Sequence, residues 1–312
     1  MSRPVQKTLS ARAWAELLLL ALIWGGSFLS IRLALDEVGV LTSVAFRVGG
    51  AAVVLWVYVL GRRLPLPRRP RVWAAFLVMG LLNNVIPFSL ITWGELHIAS
   101  GLASILNAST AIFGVLVAAL VFADERLGPR RALGVLTGFA GVATAVGPSA
   151  LTGLDLTSLG QLAVLGAASS YACAAAFARA SFKGVAPQVA AAGMLTGSTL
   201  VLVPAALLRD GAPSLDYSAA TWGALVYLAV LASAGAYLLY YRVLAMAGAG
   251  NLSLVTLLVS PVAILLGWLV LGETLPRHAF AGFGLLALGL AITDGRLLRR
   301  RTTKARTAAE KT

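Results

Sequence analysis

Arg47 is the most conspicuous charged residue of the chain because it lies within an apolar stretch, residues 40–60. A charge inside a bilayer costs several kcal/mol unless it pairs, reaches the interface or faces water. We therefore predict that Arg47 binds a carboxylate or phosphate of a substrate, or pairs with a gate residue such as Asp36 or Glu37. The alternative is that its side chain extends to lipid headgroups or caps a neighbouring helix.

Amides, hydroxyls and aromatic rings also interrupt the apolar stretches. Buried amides need partners in lipid, and proline frees a carbonyl one turn earlier, so we expect a cavity lining; inter-helix hydrogen bonding is the alternative. Central aromatic rings would form walls for a flat or cationic substrate, or pack in the core. The predicted substrate-binding residues are Trp24, Ser27, Arg47, Asn83, Asn84, Asn107, Tyr171, Tyr237, Thr256 and Ser260, and helix bending is predicted at Pro87 and Pro261.

Four residues close to the ends of apolar stretches carry titratable groups. Glu95 and His97 share the short turn GELHIAS, and we treat them as a candidate proton-coupling pair because histidine titrates near neutral pH. The alternative is that they are ordinary turn residues. Glu125 and Glu273 each follow an apolar stretch and precede a short turn, so we predict structural roles, either at a helix N-terminus or in a pair with arginine.

The sequence contains no recognisable set of catalytic residues. The chain has two histidines and one cysteine, and none of its twelve carboxylates is expected near the middle of an apolar stretch. A metal cluster, an acid–base pair, a nucleophile beside a base and a Gly-rich phosphate loop are not recognisable in the sequence. We therefore expect no enzyme activity, no metal and no cofactor. A drug pump driven through a central membrane glutamate would also lack its main residue.

The elements that must position these side chains are apolar helices. The 312 residues are 59% hydrophobic and 12% charged, with a mean hydropathy of +0.88. About 20 helical residues cross a bilayer, and the apolar runs do not alternate as barrel strands do. We predict an all-α integral membrane protein with ten spans near 13–35, 40–60, 72–93, 101–122, 131–147, 159–178, 188–208, 219–241, 251–271 and 279–294.

The net charge of +13 follows the predicted topology. Most of the 25 Lys and Arg fall on the side of the N-terminus if the chain crosses ten times, which places both termini in the cytoplasm. This distribution argues against a nucleic-acid partner. The basic tail, 295–312, is expected to meet anionic lipid. The Ala-, Leu- and Arg-rich composition favours a bacterial inner membrane.

The second half of the chain repeats the first. Trp24 corresponds to Tyr171 and Glu125 to Glu273 at nearly the same spacing. Because each repeat would hold five spans, an odd number, the two repeats must be inverted in the bilayer, an arrangement typical of transporters with alternating access. We predict a first repeat at 1–150 and a second at 151–294.

Several motifs resemble the EamA-type branch of the drug/metabolite transporter superfamily. They include ALIWGGSFLSIRLAL, AFRVGGAAV, FADERL and SPVAILLGWLVLGETLP. The resemblance implies ten helices, two inverted repeats, a central cavity and transport of small metabolites, often amino acids. The proline usual in the middle of span four is absent here, whereas span nine keeps Pro261, so the halves are expected to bend differently.

The sequence leaves three functions open. The first is an exporter of amino acids or similar small amphiphiles, and the second is a multidrug or organic-cation exporter. The third, from another class, is a membrane enzyme or a scaffold that transports nothing. The expected partners are a small-molecule substrate and membrane lipid. The Gly-rich spans five and ten should act as a scaffold or as the contact of a homodimer.

Overall fold

The computed structural model describes residues 10–122, 127–147, 155–182, 184–248, 252 and 254–294. These residues contain no strand and form ten long helices, which confirms the all-α prediction. The helices are α1 Ala11–Leu35, α2 Val40–Gly61, α3 Pro70–Gly94, α4 Ser100–Val121, α5 Pro129–Val146, α6 Leu156–Ser181, α7 Pro187–Arg209, α8 Ala219–Ala247, α9 Leu254–Leu271 and α10 Arg277–Asp294.

Most of these helices have the length and composition of membrane spans. Eight of them, all except α5 and α10, are long and apolar enough to cross a bilayer. Large apolar side chains such as Leu120, Leu200 and Val57 are exposed on their outer surfaces. Such surfaces are stable in hydrocarbon and costly in water. The chain is therefore an integral membrane protein.

Helix starts follow local sequence rules. The Ser10 and Ser218 hydroxyls accept hydrogen bonds from backbone N–H groups at the starts of α1 and α8. The Asp155 carboxylate does the same for α6, accepting from Ser158 N at 2.7 Å, and these bonds lower the pKa of Asp155. Helices α3, α5 and α7 have proline in their first turn, where its missing N–H is not needed.

The two repeats interlock. Helix α1 of the first repeat packs against α8 and α9 of the second, α2 packs against α7, and α3 packs against α6 and α7. Helices α5 and α10 pack against each other. Because each half buries its apolar faces mainly against the other half, the two repeats fold as one unit.

Each repeat contains a π-helical segment in its third helix. Leu81–Val85 is π-helical in α3 and Tyr227–Gly235 is π-helical in α8. In α3 the segment is followed by Pro87, whose ring excludes the usual hydrogen bond. π-helical turns often occur at functional sites. The sequence predicted an opened helix around Pro87 but contained no comparable proline in α8.

The fourth helices of the two repeats differ from each other. The sequence predicted one continuous span at 101–122, but a turn at Ala108 and Ser109 interrupts α4. The Ser109 and Thr110 hydroxyls donate to Leu106 O and Asn107 O at 2.6 and 2.7 Å, which satisfies carbonyls at the interruption. By contrast, α9 is helical through Pro261. The interrupted helix is therefore the one without proline.

Glycines bring α5 and α10 into close contact. A Cβ atom placed on Gly141 would lie 2.5 Å from Leu286 N, and one on Gly289 would lie 2.5 Å from Gly138 N. Only glycine permits two helix backbones to approach this closely. The glycine faces of spans five and ten thus pack against each other inside the chain, and a contact of these spans in a homodimer stays a prediction.

A single methyl group tests this interface. Gly141→Ala should lower the thermal unfolding midpoint of the detergent-solubilised protein, because overpacking of a tight contact costs about 1–3 kcal/mol. Gly114→Ala is the matched control, since a Cβ atom at that helical position meets nothing within 4 Å. Equal midpoints for the two variants would contradict the assignment of the α5–α10 contact as a scaffold.

Candidate functional site

Arg47 lies buried between the two repeats. Arg47 is only 7% exposed. Its Nε donates a hydrogen bond to Ser233 Oγ at 3.0 Å, and its Cζ lies 3.8 Å from the centre of the Phe88 ring. Among the described residues, the hydrogen bond to Ser233 is the only one of the guanidinium, and no carboxylate forms an ion pair with it. The terminal nitrogens therefore remain available to an anion.

The proposed gate partners of Arg47 are engaged elsewhere or lie apart. Glu37 Oε2 accepts a hydrogen bond from Ser218 N at 2.8 Å, and the bonds to Ser218 lower the pKa of Glu37. Asp36 is the C-cap residue of α1. The pairing of Arg47 with Asp36 or Glu37 is thus not formed in this structure.

An amide and phenol network lies next to Arg47. Asn83 Nδ2 donates to Tyr237 Oη at 2.9 Å, and Tyr237 Oη donates to Asn84 Oδ1 at 2.9 Å. Asn84 Nδ2 donates to Ser198 Oγ at 2.9 Å. Asn84 and Ser198 are fully buried, whereas Asn83 and Tyr237 are half-buried. The amides therefore make the inter-helix hydrogen bonds that the sequence left as one alternative, and contact with a substrate stays a prediction.

We call these side chains the inter-repeat cluster. Half of its members come from α2 and α3 of the first repeat and half from α7 and α8 of the second, and Arg47 lies within electrostatic reach of Tyr237. The members are Arg47, Asn83, Asn84, Ser198, Ser233 and Tyr237.

Donors from the opposite repeat satisfy carbonyls in both π-helical segments. Ser170 Oγ of α6 donates to Leu82 O at 2.7 Å. In a π-helix this carbonyl would accept from the N–H of residue 87, but Pro87 has no N–H. Trp24 Nε1 of α1 donates to Ala232 O at 3.2 Å. The first helix of each repeat thus supports the π-helical segment of the other repeat.

The other predicted site residues of the first helix of each repeat are Trp24, Ser27 and Tyr171. Trp24 and Tyr171 pack against aromatic neighbours of the inter-repeat cluster, with ring centres 5.9 Å apart for Trp24 and Tyr240 and 6.5 Å apart for Tyr171 and Phe88. Ser27 Oγ donates to Trp24 O of its own helix at 2.6 Å.

Ser260, one of the predicted residues of α9, contacts the backbone of α4. Ser260 Oγ donates to Ser104 O at 3.0 Å, and Thr256 lies one turn earlier on α9. Asn107 ends the first part of α4, and its Oδ1 is buried without a hydrogen-bond partner among the described residues. An unsatisfied buried acceptor is costly, so Asn107 is a candidate contact for a donor group of a ligand.

Glu95, in the turn that follows α3, is buried. Glu95 is only 1% exposed, and both of its carboxylate oxygens lack partners among the described residues. Burial raises the pKa of Glu95 well above its usual value; the negative charge of Glu273 adds to this, and Arg32 and Arg47 oppose it. His97 is half-buried, and its ring lies 4.7 Å from that of Trp93.

Glu273 caps the start of α4 from the turn between α9 and α10. Its carboxylate accepts hydrogen bonds from Ser100 N at 3.0 Å, Ser100 Oγ at 2.7 Å and Gly101 N at 3.4 Å. It also lines a pocket of about 200 Å³ beside Gly101 and Trp268. Its repeat counterpart Glu125 lies outside the described residues.

An ion pair that the sequence did not reveal joins α1 to α8 at the end of the bundle nearer the N-terminus. Arg242 Nη2 lies 2.5 Å from Glu16 Oε1, and Arg12 Nε lies 3.2 Å from the same atom. The contact between Glu16 and Arg242 cannot be predicted from their spacing in the sequence, because it depends on how the two repeats pack.

Inverted repeats are typical of membrane transporters. The profile of the EamA-like transporter family matches residues 13–147 and again residues 158–293. The chain belongs to this family, and each match contains one five-helix repeat.

Curated relatives carry transporter names. A "probable terminal-alkyne amino-acid exporter" of Streptantibioticus cattleyicolor is 31% identical, over 94% of this chain and 96% of its own length. A "probable amino-acid metabolite efflux pump" of Salmonella typhimurium is 27% identical, over 92% and 96%. A solved crystal structure with a TM-score of 0.64 and 21% identity covers 94% of this chain and 99% of its own, and supports the fold alone.

The phenol of Tyr237 should hold the cluster together. Tyr237→Phe removes two hydrogen bonds and leaves Asn84 Oδ1 with only the longer bond from Asn83 Nδ2 at 3.4 Å, so we expect a loss of about 1–2 kcal/mol in the free energy of unfolding. Tyr240→Phe is the matched control because the Tyr240 hydroxyl has no hydrogen bond among the described residues. Thermal unfolding in one detergent compares them, and equal stability of the two variants would contradict the network.

Proposed function

We propose that this protein exports amino acids, or small amphiphiles that carry a carboxylate, from the bacterial cytoplasm. The names of the Streptantibioticus and Salmonella relatives support this substrate class. The distribution of Lys and Arg supports an orientation with both termini in the cytoplasm. In this proposal the inter-repeat cluster is the substrate site.

The observation that carries the proposal is the buried guanidinium of Arg47. A desolvated cation without an acidic partner is unfavourable, and an incoming carboxylate would remove that penalty by accepting from its terminal nitrogens. The bond from Nε to Ser233 and the stacking on Phe88 fix the plane of the guanidinium. The same positive charge would repel an organic cation, which weighs against the multidrug alternative.

A zwitterion also needs acceptors for its ammonium group. Asn107 Oδ1 is a buried acceptor without a donor among the described residues, and we assign it this role. The half-buried rings of Trp24 and Tyr171 would contact the apolar part of the substrate. The substrate would thus touch both repeats.

In alternating access, contacts that close one end of the helix bundle must break when that end opens, and other contacts must do the same at the opposite end. At the N-terminal end, Glu16 of α1 pairs with Arg242 of α8. At the opposite end, Glu37 bonds Ser218 before α8, and Thr42 Oγ1 donates to Asp210 Oδ2 at 2.9 Å. We assign the π-helical segments as the flexible points between these ends, because a π-helical turn relaxes the regular hydrogen-bond pattern.

Transport by purified protein in proteoliposomes tests the proposal. Counterflow with a panel of radiolabelled amino acids should detect saturable flux. Arg47→Gln and Arg47→Lys should lower the rate about ten- to a hundredfold, because a hydrogen bond to a charged group is worth about 1.5–3 kcal/mol. Their thermal stability should be unchanged or higher, since a buried charge is removed or exchanged.

Arg62→Gln is the matched control, because Arg62 is an exposed arginine just after α2. It should transport at the wild-type rate. Normal transport by both Arg47 variants would discard the site, and absence of flux with every amino acid would discard the substrate class. Saturable flux of quaternary ammonium compounds instead would favour the multidrug alternative.

A further inference from the structure

Glu95 is the most deeply buried carboxylate among the described residues, and its environment does not suit an anion. Its N–H donates to Ile91 O at 2.9 Å and its carbonyl accepts from Arg32 Nη1 at 2.8 Å, so the backbone is held in place. The side chain is 1% exposed, and neither oxygen has a hydrogen-bond donor among the described residues. An ionised carboxylate only accepts hydrogen bonds, so its burial without donors is costly, whereas a protonated carboxyl is tolerated.

The charged groups around Glu95 come from several elements. Glu273, from the turn between α9 and α10, brings a like charge that favours the protonated form. Arg32 of α1 and Arg47 of α2 favour the ionised form but act more weakly than burial does. Arg32 directs Nη1 at the backbone carbonyl of Glu95 rather than at its carboxylate. His97 lies in the same turn, with its ring against Trp93.

We propose that Glu95 is a proton-binding site, protonated in this conformation, that releases its proton when the neighbouring helices separate and so couples substrate movement to proton movement. The coupling rests on the transport function proposed above, whereas the proton site does not.

The release step follows from the contacts of Glu273. In this structure Glu273 is fixed to Ser100 and Gly101 at the start of α4. A rearrangement that separates α4 from the α9–α10 turn would remove the like charge and admit water. The O–H bond of the Glu95 carboxyl then breaks, the proton passes to water, and the carboxylate becomes solvated. Glu95 and Arg47 also interact electrostatically. Loss of the Glu95 proton therefore changes the electrostatic potential at the substrate site.

Infrared spectroscopy of the full-length protein in lipid nanodiscs detects the bound proton directly. The wild-type protein should show a protonated-carboxyl band at pH 7 that is missing in Glu95→Gln and retained in the control Asp155→Asn, which removes an exposed carboxylate. Glu273→Gln should shift the loss of this band to lower pH, because it removes the like charge that raises the pKa of Glu95.

Thermal stability gives a second readout that needs no substrate. An unfolded chain releases a glutamate proton near pH ~4.3, and the raised folded pKa means that the folded protein keeps it to higher pH. The free energy of unfolding should therefore fall as pH rises through the interval between these two pKa values. Glu95→Gln, which cannot ionise, should lack this slope and be at least as stable as the wild type at pH 8.

Coupling is measured in proteoliposomes with an imposed pH gradient and the same radiolabelled amino acids. The gradient should change the wild-type rate several-fold and leave the rate of Glu95→Gln unchanged, with Asp155→Asn behaving as the wild type. An ionised Glu95 at pH 7 in the infrared titration would overturn the proton site. Equal gradient dependence in Glu95→Gln and wild type would overturn the coupling. If no amino acid is transported, the proposed function fails, and the infrared titration still decides the proton site.

Discussion

The structure depends on one constraint, which is that backbone polar groups between the helices must find partners inside the protein. Water is absent from the hydrocarbon region, so an unsatisfied backbone group there costs several kcal/mol. In α3 the missing N–H of Pro87 leaves Leu82 O without its π-helical partner, and Ser170 of the opposite repeat donates to this carbonyl. In the π-helical segment of α8, Ala232 O accepts a hydrogen bond from Trp24 of the opposite repeat. The two inverted halves are therefore held together where their helices are least regular.

A similar constraint applies to Arg47, but the hydrogen-bonding capacity of its guanidinium is only partly used. Its Nε bonds Ser233 of the α8 π-helical segment, and its plane stacks on Phe88, which follows the α3 segment. No described carboxylate neutralises it. A site that keeps a desolvated cation at the junction of two repeats is poised for an anionic ligand, and movement of either repeat changes its surroundings. This links the irregular backbone to the proposed transport cycle.

The sequence predicted the features that depend on composition and spacing. The ten helices, the repeats and the burial of Arg47 followed from apolar runs and from one charge within them. Features that depend on packing between distant segments were not predictable. The hydrogen bond of Asn84 to Ser198 and the ion pair of Glu16 with Arg242 each join residues far apart in sequence. The burial of Glu95 likewise depends on segments that are distant from it in sequence. Nothing within the turn GELHIAS indicates which residues pack over Glu95. The interruption of α4 lacked the proline that would have indicated it.

The central claim is that the carboxylate of a substrate binds the guanidinium of Arg47 between the two repeats. An experimental structure of the full-length protein with a transported amino acid tests it most directly. The account predicts a ligand carboxylate within hydrogen-bonding distance of the terminal nitrogens of Arg47, with Nε still on Ser233. A ligand bound away from Arg47, or Arg47 paired with a carboxylate of the protein while the ligand is bound, would contradict it.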